Sequence, residues 1–305
     1  MDRSVEPEAL LVSNVEEARQ TGLGPRPLAM AGRRRYSLGS ILANLALAVL
    51  GLAFLFPLLW VVFAAFDSHA SNALALPHPT LYNFTHIFQT GLVSQPFANS
   101  LYFSVISMVI TTILALLAAY PLSRRAIPLK RPFLFTILFA TGLPLNMLLV
   151  PVYSIYVSYN VIDSLSFAAI FFAATSIPFA IWLLKNFIDA VPIELEEAAQ
   201  VDGASAFGVL WHIAARLILP GISVTAIFTF INAWSTFLVP YILLQSPNKL
   251  PSSITIYQFE GAYGIPLYGQ LAAYCILLSL PVLALYWLVA RNFAGAFNFG
   301  GGLQG

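Results

Sequence analysis

The sequence predicts an all-α polytopic membrane protein with six transmembrane helices, and three observations support this fold class. Hydrophobic residues make up 59% of the 305 residues and charged residues only 9%, whereas soluble domains carry roughly 25% charged residues. The apolar residues fall into long runs, and the run at residues 41–66 contains no charged residue. A membrane helix needs about 20 apolar residues, so runs of this length can cross a bilayer.

The apolar runs define the order of the elements. We predict spans at residues 41–66, 97–123, 132–162, 164–184, 217–245 and 267–290. The third run is too long for one straight helix, and Pro144 and Pro151 predict a break around residues 142–146. Together the spans form a transmembrane domain at 38–293, between an N-terminal tail at 1–37 and a Gly-rich C-terminal tail at 294–305.

The basic residues set the orientation of these spans. Thirteen of the fourteen Lys and Arg residues fall on one side of the predicted membrane, and only Lys249 falls on the other. Cytoplasmic segments are enriched in Lys and Arg, so we expect both termini in the cytosol. The segments at 67–96 and 246–266 are then external loops.

One long polar segment, residues 189–216, interrupts the apolar runs on the predicted cytosolic side. Three glutamates near its start favour the N-terminal end of a helix. Gly203 supplies a residue that tolerates positive φ and ends this helix, and Ser205 caps a second piece that carries Phe207. Both pieces are too short to be stable alone in water, so we expect a partner protein to contact them.

Other classes of membrane protein fit the sequence less well. An ion-coupled secondary transporter usually carries ionisable residues within its spans, and here all thirteen acidic residues lie in loops, tails or span boundaries. Sodium coupling through backbone carbonyls stays open. The four His residues lie in loops and the single Cys275 lies in an apolar run, so an intramembrane protease, a catalytic residue and a metal site are not predicted. A purely structural membrane protein would leave the polar segment unexplained. The sequence also contains no Gly-x-x-x-x-Gly-Lys-Ser/Thr phosphate loop, so the chain cannot bind ATP through that motif.

The polar segment resembles the EAA loop of the inner-membrane permease subunits of ABC importers. The pattern of that loop is Glu-Ala-Ala, three residues, Gly, nine residues, Ile, one residue, Leu-Pro. The residues that match it in register are Glu197, Ala198, Ala199, Gly203 and Ile213. Ala215 and Arg216 stand where the pattern has Leu-Pro.

The resemblance extends over roughly residues 38–305. Residues 226–238 look like the Phe-x-x-x-Trp-Asn-Glu-Phe region of carbohydrate-importer permeases, with Ser235 and Thr236 in place of Asn-Glu. The ending at 300–305 is similar to the Gly-rich terminus of the smaller permease subunit in maltose-type importers, with Gln304 where Lys is usual.

The resemblance implies a type I ABC importer permease that moves a neutral di- or oligosaccharide across a prokaryotic cytoplasmic membrane by alternating access. It implies a second homologous permease subunit, two ATPase subunits that bind ATP and Mg, and an extracellular solute-binding protein. The chain itself would be no enzyme, hold no cofactor and bind no nucleic acid. A permease for glycerol phosphates or another small solute is the alternative, although no predicted span holds an internal basic residue to accompany a phosphate.

Candidate site residues follow from the same resemblance and from polar groups inside the spans. The residues assigned to ATPase coupling are Glu196, Glu197, Ala198, Ala199, Asp202, Gly203, Ala204, Ser205 and Phe207, with Gly302, Leu303, Gln304 and Gly305 as a tail contact. The substrate-pathway candidates are Asn146, Tyr153, Asn232, Trp234, Thr236, Tyr241 and Tyr274. Aromatic rings and amides suit sugars, but the same groups also anchor membrane interfaces and join helices.

Overall fold

The computed structural model describes residues 38–71, 78–259 and 266–297. In chain order the first helices are α1 (Leu38–Ala65), α2 (Tyr82–Gln89), α3 (Ser94–Arg124), α4 (Lys130–Thr141), α5 (Leu145–Ser158), α6 (Leu165–Asp189) and α7 (Glu194–Val201). They are followed by α8 (Ala206–Val209), α9 (Ala215–Leu217), α10 (Leu219–Ser235), α11 (Leu238–Leu243), α12 (Ser252–Thr255) and α13 (Tyr268–Phe297). A π-helical turn, Leu210–Ala214, joins α8 to α9, and 3₁₀ turns occupy Pro247–Lys249 and Ile256–Gln258.

The chain divides into two compact units, residues 1–56 and 57–305, and α1 runs across the boundary. Within the described ranges the only β pairing is an isolated antiparallel bridge between Asp67 and Pro79. The architecture is therefore all-α, as the sequence predicts. The predicted external loop at 67–96 contains one element that we did not expect, the short helix α2, which buries Asn83 and Ile87.

Four helical stretches of the described chain are long and apolar enough to cross a membrane alone. They are Leu42–Ala65, Ser94–Arg124, Leu165–Asp189 and Tyr268–Arg291. Two bent pairs supply the rest: Lys130–Thr141 with Leu145–Ser158, at 90°, and Phe207–Leu217 with Leu219–Ser235, at 80°. By length and composition alone, up to six spans result when each bent pair counts as one, and Leu219–Ser235 is the long apolar member of the second pair. The first bend lies at the break predicted around residues 142–146.

The fifth predicted span, 217–245, is not one helix. Helix α10 ends at Ser235, Thr236 is extended with φ −67° and ψ 133°, and α11 begins at Leu238. A continuous helix would bring the ring of Pro240 against the carbonyl of Thr236. The break instead places Pro240 in the first turn of α11, where its missing N–H leaves no hydrogen bond unmade.

Helices α3 and α6 form the centre of the second unit and run side by side in the same direction. Small side chains allow their backbones to approach closely, as is common in membrane helices. The Ser107 hydroxyl donates to the carbonyl of Ala169 at 3.1 Å, and the Thr111 hydroxyl donates to the carbonyl of Ala173 at 3.2 Å. These buried bonds fix the register of the two helices along their shared face.

Candidate functional site

The polar segment 189–216 folds as a helix, a glycine turn and a second helix. Gly203 has φ +91°, in the left-handed region, and its N–H donates to the carbonyl of Gln200 at 3.0 Å. The Ser205 hydroxyl oxygen accepts the N–H of Gly208 at 3.1 Å, as a cap does. The predicted turn and cap are both confirmed.

Five large apolar side chains of this polar segment are exposed, among them Ile193 and Leu195. We name the three most exposed the docking face: Val201, Phe207 and Trp211. Their exposed fractions are 87%, 65% and 54%. The rings of Phe207 and Trp211 lie nearly parallel, 4° apart, with centroids separated by 6.4 Å. Exposed apolar groups clustered within a polar rim are typical of protein interaction sites.

The sequence candidates for coupling divide around this face. The exposed ones in α7 and the turn are Glu197, Ala198, Asp202, Gly203 and Ser205, whereas Ala199 and Ala204 are half-buried. Glu196 differs, because only 2% of it is exposed. Its carboxylate points into the chain, and its assignment to ATPase coupling stays a prediction.

Glu196 is held by two residues at the end of α3, and we name the three the anchor triad: Tyr120, Arg124 and Glu196. Arg124 places Nε and Nη2 each 2.8 Å from Oε1 of Glu196. The Tyr120 hydroxyl donates to Oε2 at 2.8 Å. Arg124 Nη2 also donates to the carbonyl of Val191 at 2.9 Å. Arg124 therefore ties the end of α3 both to the Glu196 carboxylate of α7 and to the backbone just before α7.

Two of the predicted pathway residues are buried in the interior. Trp234 is 3% exposed and its Nε1–H donates to the carbonyl of Leu278 at 3.0 Å. Tyr274 is fully buried and its hydroxyl donates to the carbonyl of Ser252 at 3.2 Å. Phe97 lies edge-on to both rings. These side chains join α3, α10 and α13 within this chain, and their assignment to the substrate pathway stays a prediction.

Two other candidates line one cavity of about 420 Å³ between α5 and α11. Asn146 and Tyr153 come from α5, and Leu238 and Ile242 come from α11. The 90° bend between α4 and α5 sets the direction of α5. The break before α11 lets that short helix lie across the cavity from α5. The cavity offers the amide of Asn146 and the hydroxyls of Tyr153 and Ser154 in an otherwise apolar wall.

The remaining pathway candidates stand apart from the lining of that cavity. Asn232 is exposed and its amide donates back to the carbonyl of Phe228 at 2.7 Å. Thr236 is half-buried, and its carbonyl accepts a bond from Ser253 at 2.7 Å. Tyr241 is exposed and stacks on Phe237, with centroids 4.8 Å apart.

At the opposite end of the second unit, Asp163 binds the loop at residues 245–249 through side-chain contacts that we did not predict. Its Oδ1 accepts the N–H of Gln245 at 2.8 Å and of Ser246 at 2.9 Å. Its Oδ2 lies 2.8 Å from Nζ of Lys249, the one basic residue predicted outside. Burial acts to raise the pKa of Asp163, but the bonds from Lys249, Ser246 and Gln245 outweigh it and lower the pKa. The partners lie more than 80 residues away in the sequence, so no local pattern reveals this contact.

Two sequence calls lie outside the described residues. They are the tail contact by Gly302, Leu303, Gln304 and Gly305, and the N-terminal tail at 1–37.

The fold and site define a class: a multi-pass helical membrane protein with an exposed helix-turn-helix segment that is anchored to its central helix. Residues 111–294 match the family described as the inner membrane component of binding-protein-dependent transport systems. The chain belongs to this family.

Known relatives agree with this assignment. A putative ABC transporter permease from Streptomyces antibioticus is 33% identical and aligns over 70% of this chain and 93% of its own length. A sulfoquinovosyl glycerol transport system permease from Agrobacterium fabrum is 28% identical over 86% of this chain and 94% of the relative. A maltodextrin transport system permease from Bacillus subtilis is 27% identical over 87% and 96%.

A solved structure shares the fold. One chain of a bacterial ABC transporter for import of the acidic polysaccharide alginate superposes with a TM-score of 0.74 and 20% identity, covering 85% of this chain and 98% of that chain. The described helices therefore have the fold of an ABC importer permease.

Proposed function

We propose that this chain is the permease subunit through which an ATPase drives import of a neutral di- or oligosaccharide. The observation that carries the proposal is the docking face, held out from the protein on a segment that the buried anchor triad ties to α3. Both termini and the docking face lie in the cytosol in this proposal. A second permease subunit, two ATPase subunits and an external solute-binding protein complete the importer.

The docking face fits a groove on a folded ATPase subunit. The rings of Phe207 and Trp211 lie nearly parallel and exposed, and Val201 is exposed on the same segment. Aromatic anchors dominate binding energy at protein interfaces. The acidic side chains of Glu197 and Asp202 are exposed on the same segment. The groove on the ATPase is therefore apolar at its centre and basic at its rim.

The anchor triad transmits movement of the segment into the membrane. A displacement of α7 pulls on Arg124 through Glu196, because that ion pair is short and shielded from water. Arg124 is the last residue of α3, and α3 is bonded to α6 through Ser107 and Thr111. Docking and closure of the ATPases would then move α3 and α6 as one body, which is what alternating access requires.

The choice of substrate rests on the cavity, on charge and on the relatives. Asn146 and Tyr153 supply hydrogen bonds and an aromatic face within the α5–α11 cavity, and sugars are recognised by such groups. Most basic residues of the described spans lie in the terminal turns of their helices. Lys185 lies in the last two turns of α6, where it forms an ion pair with Asp189. Among the relatives named above, the maltodextrin permease points to a neutral carbohydrate, whereas sulfoquinovosyl glycerol carries a sulfonate and alginate is an acidic polysaccharide. The relatives therefore support a carbohydrate, and the choice of a neutral one over a phosphorylated solute rests on the cavity and on the position of the basic residues.

The test is affinity purification of the tagged chain in mild detergent, followed by identification of the proteins that accompany it. We expect an ATPase subunit with a phosphate loop and a second permease. Phe207→Ser should reduce the recovered ATPase while leaving the second permease. The matched control is Phe88→Ser, which removes another exposed Phe, from α2 at the opposite end of the unit. Equal ATPase recovery from both variants would reject the docking face.

A further inference from the structure

Two histidines and an aspartate meet just after α1, outside the spans and away from the docking face. Asp67, His69 and His78 each offer one metal-binding atom, and these atoms all lie within 4.8 Å of one another. The imidazole rings of His69 and His78 contact edge to face, with centroids 5.3 Å apart. Both rings are exposed, whereas Asp67 is buried.

The backbone holds the three residues in place. Asp67 pairs with Pro79 in an antiparallel bridge, and the N–H of Thr80 donates to the carbonyl of Phe66 at 2.9 Å. From α2, the side-chain amide of Asn83 donates to the carbonyls of Ala65 at 3.1 Å and Asp67 at 2.9 Å. The two ends of the loop are therefore fixed on one support before any ligand binds.

The carboxylate of Asp67 is held in a fixed orientation. Its Oδ1 accepts the N–H of His78 at 3.0 Å and of His69 at 3.1 Å. Its Oδ1 also lies 3.7 Å from Nδ1 of His78. Two ligands about 2.0–2.1 Å from a tetrahedral zinc ion are separated by about 3.4 Å, so this pair needs only a small adjustment to share one ion.

Ser68 contacts the remaining ligand. Its Oγ lies 2.9 Å from Nδ1 of His69. An Nδ1–H that donates to Ser68 leaves the Nε2 lone pair free, which is the arrangement that outer hydrogen bonds impose on metal-binding histidines.

We propose that Asp67, His69 and His78 bind one zinc ion, with water in the fourth position. Neutral imidazoles and a carboxylate are ligands that zinc prefers, and three protein ligands plus water is a common open zinc site. The exposure of both rings gives the ion a path from solvent. The ion would link the two ends of the loop, residues 66–69 and 78–80. From the sequence we predicted only that these histidines lie in a loop, and we predicted no metal site.

The experiment measures zinc bound to the purified importer complex, prepared with a tag that contains no histidine. The complex is stripped with a chelator and dialysed against micromolar free zinc with excess magnesium, and bound zinc is counted by plasma emission. We expect the wild-type complex to hold one more zinc per copy of this chain than His69→Ala or His78→Ala. The matched control is His86→Ala, which removes a half-buried histidine of α2 outside the cluster and should bind as the wild type does. Ser68→Ala should weaken zinc binding about tenfold.

Replacement of zinc by cobalt gives a second measurement that does not depend on the number of zinc ions counted per complex. A tetrahedral site gives intense visible absorption with Co²⁺, and we expect that absorption to disappear in His69→Gln and His78→Gln complexes that still contain every subunit. Equal zinc in the wild type and in the His69→Ala, His78→Ala double variant would place the ion elsewhere and overturn the proposal. No extra zinc in the wild type at micromolar concentration would overturn it as well.

Discussion

Arg124 and Glu196 are separated by 72 residues in the sequence, yet their side chains meet at 2.8 Å. Their side chains are 12% and 3% exposed, so little water screens the pair. Removal of one member of a buried ion pair leaves an unpaired charge and is far more damaging than replacement of both. This asymmetry makes the anchor triad testable.

Arg124→Met should lower the free energy of unfolding by about 3–5 kcal/mol, because the carboxylate of Glu196 remains buried without its cation. The double replacement Arg124→Met, Glu196→Met should recover much of that loss. The matched control is Arg125→Met at the neighbouring, exposed position, which should change little. Thermal unfolding in detergent measures all three, and a double variant less stable than Arg124→Met would contradict the pairing.

Gly203→Val should abolish uptake while the protein stays in the membrane. A side chain at this position meets no atom within 4 Å, so the cost comes from φ +91° in the backbone and amounts to about 1–3 kcal/mol. Gly203→Asn should retain more uptake, because Asn tolerates the left-handed region better.

Gly91 provides the control for that strain. It also has positive φ, +74°, and open space around it, but it lies in the turn after α2, away from the docking face. Gly91→Val should therefore leave recovery of the ATPase unchanged, whereas Gly203→Val should reduce it. Equal recovery of the ATPase from the two variants would show that the turn at Gly203 has no part in docking.

Asp163→Asn should destabilise the protein at neutral pH by about 1–3 kcal/mol, because the hydrogen bonds that its carboxylate accepts from Gln245, Ser246 and Lys249 are weakened. Asp163 has φ +59°, which Asn tolerates, so the variant tests charge and not backbone strain. The pKa of Asp163 is lowered in the folded protein, so its stabilisation is complete above the unfolded value near 4 and is lost as the pH falls below it.

The melting temperatures of the wild type and Asp163→Asn should accordingly differ at pH 7 and converge below about pH 4. A difference that persists unchanged in acid would mean that the loop does not depend on the carboxylate charge.

Trp234→Ala should destabilise the protein by about 3–5 kcal/mol, because it empties a buried site and removes a hydrogen bond to Leu278. Asn146→Ala and Tyr153→Ala should leave stability and assembly intact and raise the sugar concentration needed for half-maximal uptake. The matched control is Asn232→Ala, an exposed amide outside the cavity lining. Unchanged uptake in both cavity variants would move the sugar path elsewhere.

The parts of this structure that sequence predicts are those with local causes. Apolar runs predict the spans, Pro144 predicts the bend between α4 and α5, and Gly203 predicts the turn within the polar segment 189–216. The inward side of Glu196 was missed because its partners sit at the end of α3, a contact that only the tertiary fold creates. The buried contacts of Trp234 and Tyr274 were missed for the same reason, since the polar group of an aromatic side chain can face a sugar or a backbone carbonyl equally well.

The proposed transport reaction is measured most directly by uptake into vesicles that contain the purified complex, with the solute-binding protein outside and ATP inside. Labelled neutral oligosaccharides of the maltodextrin class and labelled glycerol phosphates are offered in parallel. We expect ATP-dependent uptake of a neutral sugar that the Phe207→Ser complex fails to perform and the Phe88→Ser complex performs normally. ATP-dependent uptake of the phosphorylated solute with neutral sugars excluded, or sugar uptake that continues without ATP, would contradict the proposed function.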